Sequence, residues 1–263
     1  TASCQRIIPE ETLLVLDEIQ SCPRALTALK TFCEEAPQYY IVCAGSLLGV
    51  AVNRDNYSFP VGKVDEIQLF PMDFEEFLNA LNEDLLMSEI RAHFASDLKM
   101  PEILHNKALD YYKQYLIVGG MPAVVNEFVH TQSLLTAAEI QGRIQNEYIS
   151  DVAKYASATT SVKIRACYNS VPVQLAKENK KFQYKIVQRG GTATIFGESI
   201  EWLNFAGVVL KCQKVEHGYM PVAVYADLSD FKLYMSDVGL LTAKSGMAQQ
   251  TILSSVEEDN GFL

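Results

Sequence analysis

This sequence lacks the features that mark membrane-spanning, secreted and zinc-binding proteins. Its 263 residues contain no run of 18 apolar residues and no charged-then-apolar leader with a small-residue cleavage site. The six cysteines are scattered and form no C-x-x-C pair, which argues against zinc and redox motifs. Their apolar neighbours indicate small core side chains in a reducing compartment. We therefore expect a cytoplasmic protein without a membrane partner.

Positive charge is also scarce over most of the chain. Lys and Arg number 22 against 32 Asp and Glu, a net charge of −10, which argues against nucleic-acid binding over the whole surface. Residues 161–216 are the exception: they carry nine Lys and Arg against four Glu, or +5, while the rest of the chain carries −15. This sign reversal predicts a separate module with its own partner.

The most informative residues that are present form the hexapeptide LLVLDE at 13–18. A continuous apolar run is typical of a buried parallel strand, and α/β folds place ligand chemistry at the carboxyl end of such strands. The pattern is that of a Walker B strand, in which Asp17 would hold nucleotide-bound Mg²⁺ and Glu18 would polarise the water that attacks the γ-phosphate. The alternative is a buried strand followed by an acidic helix cap.

A second apolar run, IVCAGS at 41–46, ends in a small residue and a hydroxyl. One helix from Pro23 to about Ala36 fits between the two runs, which predicts a strand, helix, strand unit with a parallel sheet. Ser46 would then follow the neighbouring strand, where ATPases of this architecture place a polar sensor of the γ-phosphate or the attacking water. A serine after glycine is also a common turn residue.

The sequence contains no phosphate-binding run G-x-x-x-x-G-K-[ST]. Such a loop brings backbone N–H groups, a Lys and a hydroxyl onto the phosphates and Mg²⁺, and it normally precedes the Walker B strand. We therefore expect the chain to begin inside an ATPase domain. The sheet surface that the first strand and helix would cover is then exposed, so we also expect self-association.

The predicted fold is α/β followed by mostly α. Residues 1–70 are predicted as the later part of an ATPase core, with DEIQLF at 65–70 as its last strand before Pro71. Residues 71–158 are predicted as a helical lid, with helices at 103–117 and 134–148. Gly119 and Gly120 end one helix there, and Pro122 begins the next.

Residues 159–226 follow the plan of a winged helix, in which helices precede a β-hairpin. A helix is predicted at 194–205, a strand at 208–215 and a returning strand at 222–225. The module either binds duplex DNA or serves only as a packing unit, because a charge of +5 is moderate. Residues 227–263 are predicted to begin a further C-terminal domain, in which Asp237 is a helix cap or a second-site carboxylate. The nucleic-acid candidates are Lys177, Lys180, Lys181, Lys185 and Arg189.

Together these pieces resemble the bacterial and archaeal ATPases that pair an AAA-type P-loop domain with a helical lid, a winged helix and a C-terminal domain of unknown function. The resemblance runs in order along nearly the whole chain. Its segments are LLVLDEIQ (13–20), CAGSLLG (43–49), FPVGKV (59–64), LFPMDFEEFL (69–78), GGMPAVV (119–125), YISDVAKYA (148–156), VPVQLAKENKKFQY (171–184), EWLNFAGVV (201–209) and FKLYMSDVGLL (231–241).

The resemblance implies that Asp17 is the Mg²⁺-associated acid, Glu18 the catalytic acid and Ser46 the sensor. Lys63 stands where many members have Arg; it keeps the charge but not the bidentate fork, and Arg54 is a weaker substitute. ATP and Mg²⁺ are expected for the full-length protein, and no activity is expected of these residues alone. The alternatives are a nucleotide-switched DNA-binding regulator and a scaffold that acts through protein contacts.

Overall fold

The computed structural model describes residues 7–45 and 62–254, apart from the side chains of residues 153–155. The protein is mixed α/β with a predominance of helix. It divides into two compact units, residues 1–69 with 205–207 and residues 70–204 with 208–263. Across the described ranges, no helix combines the length and the apolar character that crossing a membrane requires.

The first unit contains a strand, helix, strand element built as the sequence predicts. Strand β1 (Leu13–Leu16) leads through a 3₁₀ turn (Ile19–Ser21) to helix α1 (Pro23–Glu35) and strand β2 (Tyr40–Cys43). The two strands pair in parallel, from Leu13 opposite Tyr40 to Leu16 opposite Cys43. Pro23 suits the first turn of α1 because it has no N–H to leave unpaired.

The two faces of this small sheet have different surroundings. Leu16, Ile41 and Cys43 pack against a buried cluster formed by Ile19, Leu26 and Leu29. On the opposite face four large side chains, Leu13, Val15, Tyr40 and Val42, are each more than half exposed. Alternate side chains point to opposite faces of a strand, so α1 covers one face only.

The strand predicted at residues 65–70 is wrong. These residues have no regular secondary structure, and Ile67 and Leu69 are 86% and 92% exposed. An alternating pattern becomes a strand only beside a partner, and no strand in the described ranges pairs with this segment.

The second unit begins with six helices, four of which share an apolar core. Phe77, Val118, Val124, Phe128 and Ala137 are almost completely buried in it. The predicted helices at 103–117 and 134–148 are confirmed, the second being longer. The bounds are α2 Phe74–Ala80, α3 Asp84–Ser96, α4 Glu102–Val118, α5 Pro122–Thr131, α6 Leu134–Tyr155 and α7 Ala158–Leu175. The four helices that share the core are α2, α4, α5 and α6.

A short helix and a longer one then lead into an antiparallel hairpin. These elements are α8 (Tyr184–Val187), α9 (Ala193–Phe205), β3 (Val209–Val215) and β4 (Ala226–Met235), followed by α10 (Val238–Ser245) and α11 (Gln249–Ser254). The returning strand predicted at 222–225 is wrong, because these residues form a 3₁₀ turn after Pro221. The partner of β3 is β4, paired from Val209 opposite Met235 to Val215 opposite Ala226.

The turn between α4 and α5 is clamped from two sides. Gly119 adopts φ 72°, and the Met72 N–H donates to the Gly120 carbonyl at 2.8 Å. A Cβ on Gly120 would lie 1.9 Å from the Met72 carbonyl oxygen. Gln141 donates from its amide to the carbonyls of Ile117 and Val118 at the end of α4, so the turn has almost no freedom to shift.

Replacing Gly120 with alanine is expected to destabilise the protein by about 1–3 kcal/mol, because the methyl group overlaps a fixed carbonyl. Gly142, inside α6, is a matched control: a Cβ there meets nothing within 4 Å, so Gly142→Ala should stabilise by about 0.5–1 kcal/mol. Urea unfolding of both variants measures the difference. Equal stabilities for the two would contradict the clamp.

Candidate functional site

The carboxyl ends of β1 and β2 are joined by backbone hydrogen bonds around the two predicted acids. The Ala44 N–H donates to the Leu16 carbonyl at 2.9 Å, and the Ala44 carbonyl accepts from the Ile19 N–H at 3.1 Å. Asp17 and Glu18 lie between these bonds, and both are exposed. The structure therefore presents two adjacent carboxylates at the end of a parallel strand pair, where α/β proteins place ligands.

Glu18 has an unusual backbone conformation and a fixed side chain. It lies in the left-handed region at φ 50° and ψ 44°, immediately before the 3₁₀ turn. Its Oε2 accepts a hydrogen bond from Gln20 Nε2 at 2.6 Å. Gln20 is 7% exposed, so a buried amide holds an exposed carboxylate.

The sequence analysis did not single out Gln20. Side chains two residues apart do not face each other in a helix, and nothing in the LLVLDEIQ pattern predicts the left-handed residue that turns Gln20 back onto Glu18. Only the folded turn reveals the contact.

Asp17 can contribute one carboxylate to a magnesium site. Its Oδ1 accepts from the Glu18 N–H at 3.0 Å, and its side chain makes no other hydrogen bond within the described ranges. Those ranges hold no group of three or more His, Cys, Asp or Glu side chains able to bind a metal ion by themselves. This donor set fits Mg²⁺, which proteins commonly bind through one or two carboxylates together with substrate phosphates.

Of the other predicted nucleotide-site residues, the structure describes only Lys63. Ser46 and Arg54 lie outside the described residues. Lys63 Nζ lies 3.0 Å from Glu34 Oε1, in the last turn of α1. Since α1 begins near Gln20 and runs away from it for roughly 16 Å before Glu34, Lys63 does not face Asp17 and Glu18 in this arrangement.

The Lys63–Glu34 contact affects both groups in the expected direction. Their hydrogen bond and attraction lower the pKa of the Glu34 carboxyl and raise the pKa of the Lys63 ammonium. Both side chains are more than one third exposed, so water and salt screen the pair. The contact therefore contributes little to the stability of the fold.

The five nucleic-acid candidates lie between α7 and α9, on and around α8. Lys181 is paired with Asp230 at 3.1 Å, and the other four, Lys177, Lys180, Lys185 and Arg189, make no ion pair within the described ranges. Helix α9 and the hairpin strand β3 carry only two cations, Lys211 paired with Glu201 and Lys214 paired with Asp230. A role of the five candidates in nucleic-acid binding stays a prediction.

Asp237 joins distant parts of the second unit. It is 3% exposed, and its carboxylate accepts from the Leu240 N–H at 2.8 Å and from the Gly120 N–H at 2.6 Å. The first bond confirms the predicted helix cap. Burial raises the pKa of Asp237, and N–H donors from Gly120, Leu240 and Gly239 oppose the rise. Because backbone donors occupy this buried carboxylate, it is a structural junction.

Two family descriptions match this chain. Residues 2–78 match an AAA domain, and this range contains Asp17, Glu18, Ser46, Arg54 and Lys63. Residues 109–251 match a domain of unknown function (DUF8612). That range contains the clamped turn, the hairpin and Asp237.

Among solved structures, the chain is similar to the Walker-type ATPase PABY2304 of Pyrococcus abyssi. The two share 13% sequence identity with a TM-score of 0.49, over 88% of this chain and 62% of that one. The chain thus spans less than two thirds of the length of that protein. A comparison with curated proteins finds no match.

Proposed function

This chain belongs to the family described as a domain of unknown function (DUF8612), and its residues 2–78 match an AAA domain. On this premise we propose that the full-length protein hydrolyses ATP with Mg²⁺ at the carboxyl end of β1. Asp17 would hold the Mg²⁺ that accompanies the phosphates. Glu18 orients and polarises the attacking water. Ser46 acts as the sensor of the γ-phosphate or the attacking water.

The observation that carries the proposal is the pair of exposed, adjacent carboxylates at the joined ends of two parallel strands. When bound, Mg²⁺ would supply positive charge against the negative charge that develops in phosphoryl transfer, which leaves the protein mainly a positioning task. The reaction needs one carboxylate to hold the metal and one to polarise the water, and the end of β1 supplies both. The phosphate cradle has no counterpart in these 263 residues, so we propose that they turn over no ATP by themselves.

For the second unit we propose a helical lid, residues 71–158, and a winged helix over residues 159–226, whose hairpin continues into β4. Nucleotide turnover would move these parts against the ATPase core. In the regulator alternative the winged helix would bind duplex DNA. Lys211 and Lys214, the two cations of β3, are paired with acids, which does not favour that use.

Replacing Asp17 with asparagine is expected to weaken Mg²⁺-dependent ATP binding by about tenfold or more, because the amide cannot supply an anionic metal ligand. The assay uses the full-length gene product, with and without excess EDTA. Glu35→Gln is the matched control, because it removes one exposed acid from the same unit at the far end of α1.

The proposal is supported if Asp17→Asn and EDTA both reduce ATP binding and Glu35→Gln leaves it unchanged. Equal binding by all three proteins would remove Asp17 from the site. Added duplex DNA tests the alternative, since turnover that rises with DNA and falls with salt would favour the regulator.

A further inference from the structure

Gln20 is buried beside the proposed water-activating acid, and its amide contacts that acid directly. It donates a hydrogen bond to Glu18, at 2.6 Å from Nε2 to Oε2. This distance is shorter than that of most N–H···O hydrogen bonds in proteins. The contact joins an almost completely buried residue to an exposed one.

The surrounding turn is held in place by the backbone. The Glu18 carbonyl accepts from the Ser21 N–H at 2.9 Å, and the Ile19 carbonyl accepts from the Cys22 N–H at 3.0 Å. The Ile19 N–H is bonded to Ala44 at the end of β2, and Ile19 is 2% exposed. Gln20 therefore extends from a rigid segment, whereas a glutamate side chain alone would move among many rotamers.

We infer that Gln20 is a positioning residue that fixes the Glu18 carboxylate for water activation; this inference rests on the proposed function. The amide holds Oε2 and leaves Oε1 available to accept a hydrogen bond from a water. Because the amide is neutral, it orients Glu18 without cancelling the negative charge that polarises that water.

The experiment compares Gln20→Met with wild type in the full-length protein. Methionine has a similar length and keeps the buried packing, but it cannot donate a hydrogen bond. We expect kcat to fall by about 10- to 100-fold, the cost of a misplaced catalytic group, while KM for ATP stays within about twofold. Ser21→Ala, an exposed change in the same turn, should leave both constants unchanged.

A second measurement does not depend on activity. The side-chain amide protons of Gln20 in ¹H–¹⁵N spectra should exchange slowly with water in the wild-type chain and rapidly in Glu18→Ala. A role limited to packing would leave their exchange unaltered.

The outcomes separate this inference from the proposed function. Full turnover in Glu18→Gln would refute the function of Glu18 itself. If Glu18→Gln is inactive but Gln20→Met keeps the wild-type kcat, the function stands and the positioning role of Gln20 is wrong. A fall in kcat together with a large rise in KM would also contradict it, because positioning of a water acts on the chemical step.

Discussion

Replacing Asp237 with alanine is expected to destabilise the protein by about 2–6 kcal/mol. The carboxylate satisfies the N–H groups of Gly120 and Leu240 in a site that is 3% exposed. Each buried N–H that loses its partner costs about 1–3 kcal/mol. The loss also loosens α10 from the turn after α4, since Gly239 packs closely on Val118 there.

Asp73→Ala is the matched control, because Asp73 is also an aspartate helix cap but lies at the surface. It accepts from the Glu76 N–H at 2.9 Å as part of a capping box on α2. Its loss should cost only about 1 kcal/mol. Urea denaturation of the chain measures both variants, and similar losses for the two would show that the buried junction contributes little.

The effect of Asp237→Ala should also depend on pH. Burial raises the folded-state pKa of this carboxyl above its ordinary value of 3.8, so the folded protein binds a proton before the unfolded chain does. The contribution of Asp237 to folding stability is therefore largest below pH 3.8. It is lost as pH rises from 3.8 through the raised folded-state pKa. The variant should be more strongly destabilised near about pH 4 than at about pH 7, and the opposite trend would contradict the pKa direction.

Replacing Glu18 with glutamine should lower kcat for ATP by about 10²- to 10⁴-fold in the full-length protein, the usual contribution of a general base. The amide keeps the shape of the side chain and can still meet Gln20, but it is too weak a base to polarise water. Nucleotide binding should be retained, because Asp17 and the Mg²⁺ it would hold are unchanged.

Glu11→Gln is the matched control for charge, since it removes one acid from the same unit just before β1. Single-turnover measurements separate the chemical step from product release. Wild-type rates in Glu18→Gln would mean that another group activates the water.

The sequence predicts those elements whose signals are local. The apolar runs at β1 and β2 and the proline at the start of α1 give the parallel unit, and Gly119, Gly120 and Pro122 give the break between α4 and α5. The errors concern pairing. Residues 65–70 and 222–225 both have strand-like composition. No strand in the described ranges pairs with residues 65–70, and β3 pairs with Ala226–Met235 and not with residues 222–225. Local patterns contain no information on such a partner.

The same limit applies to the sites. Asp17 and Glu18 stand out because two acids end an apolar run, and Asp237 stands out as a helix cap. The bond from Gly120 to Asp237 joins residues 117 positions apart, and the bond from Gln20 to Glu18 needs the left-handed backbone at Glu18. Both arise from the folded backbone, so sequence spacing alone does not predict them.

The most direct test of the ATPase site is the structure of the full-length Glu18→Gln variant with Mg²⁺ and ATP. The account predicts nucleotide density at the carboxyl ends of β1 and β2, with the Mg²⁺ next to Asp17 and a water in line with the γ-phosphate near the substituted side chain. Nucleotide bound elsewhere, with Asp17 and the substituted side chain facing only solvent, would contradict it.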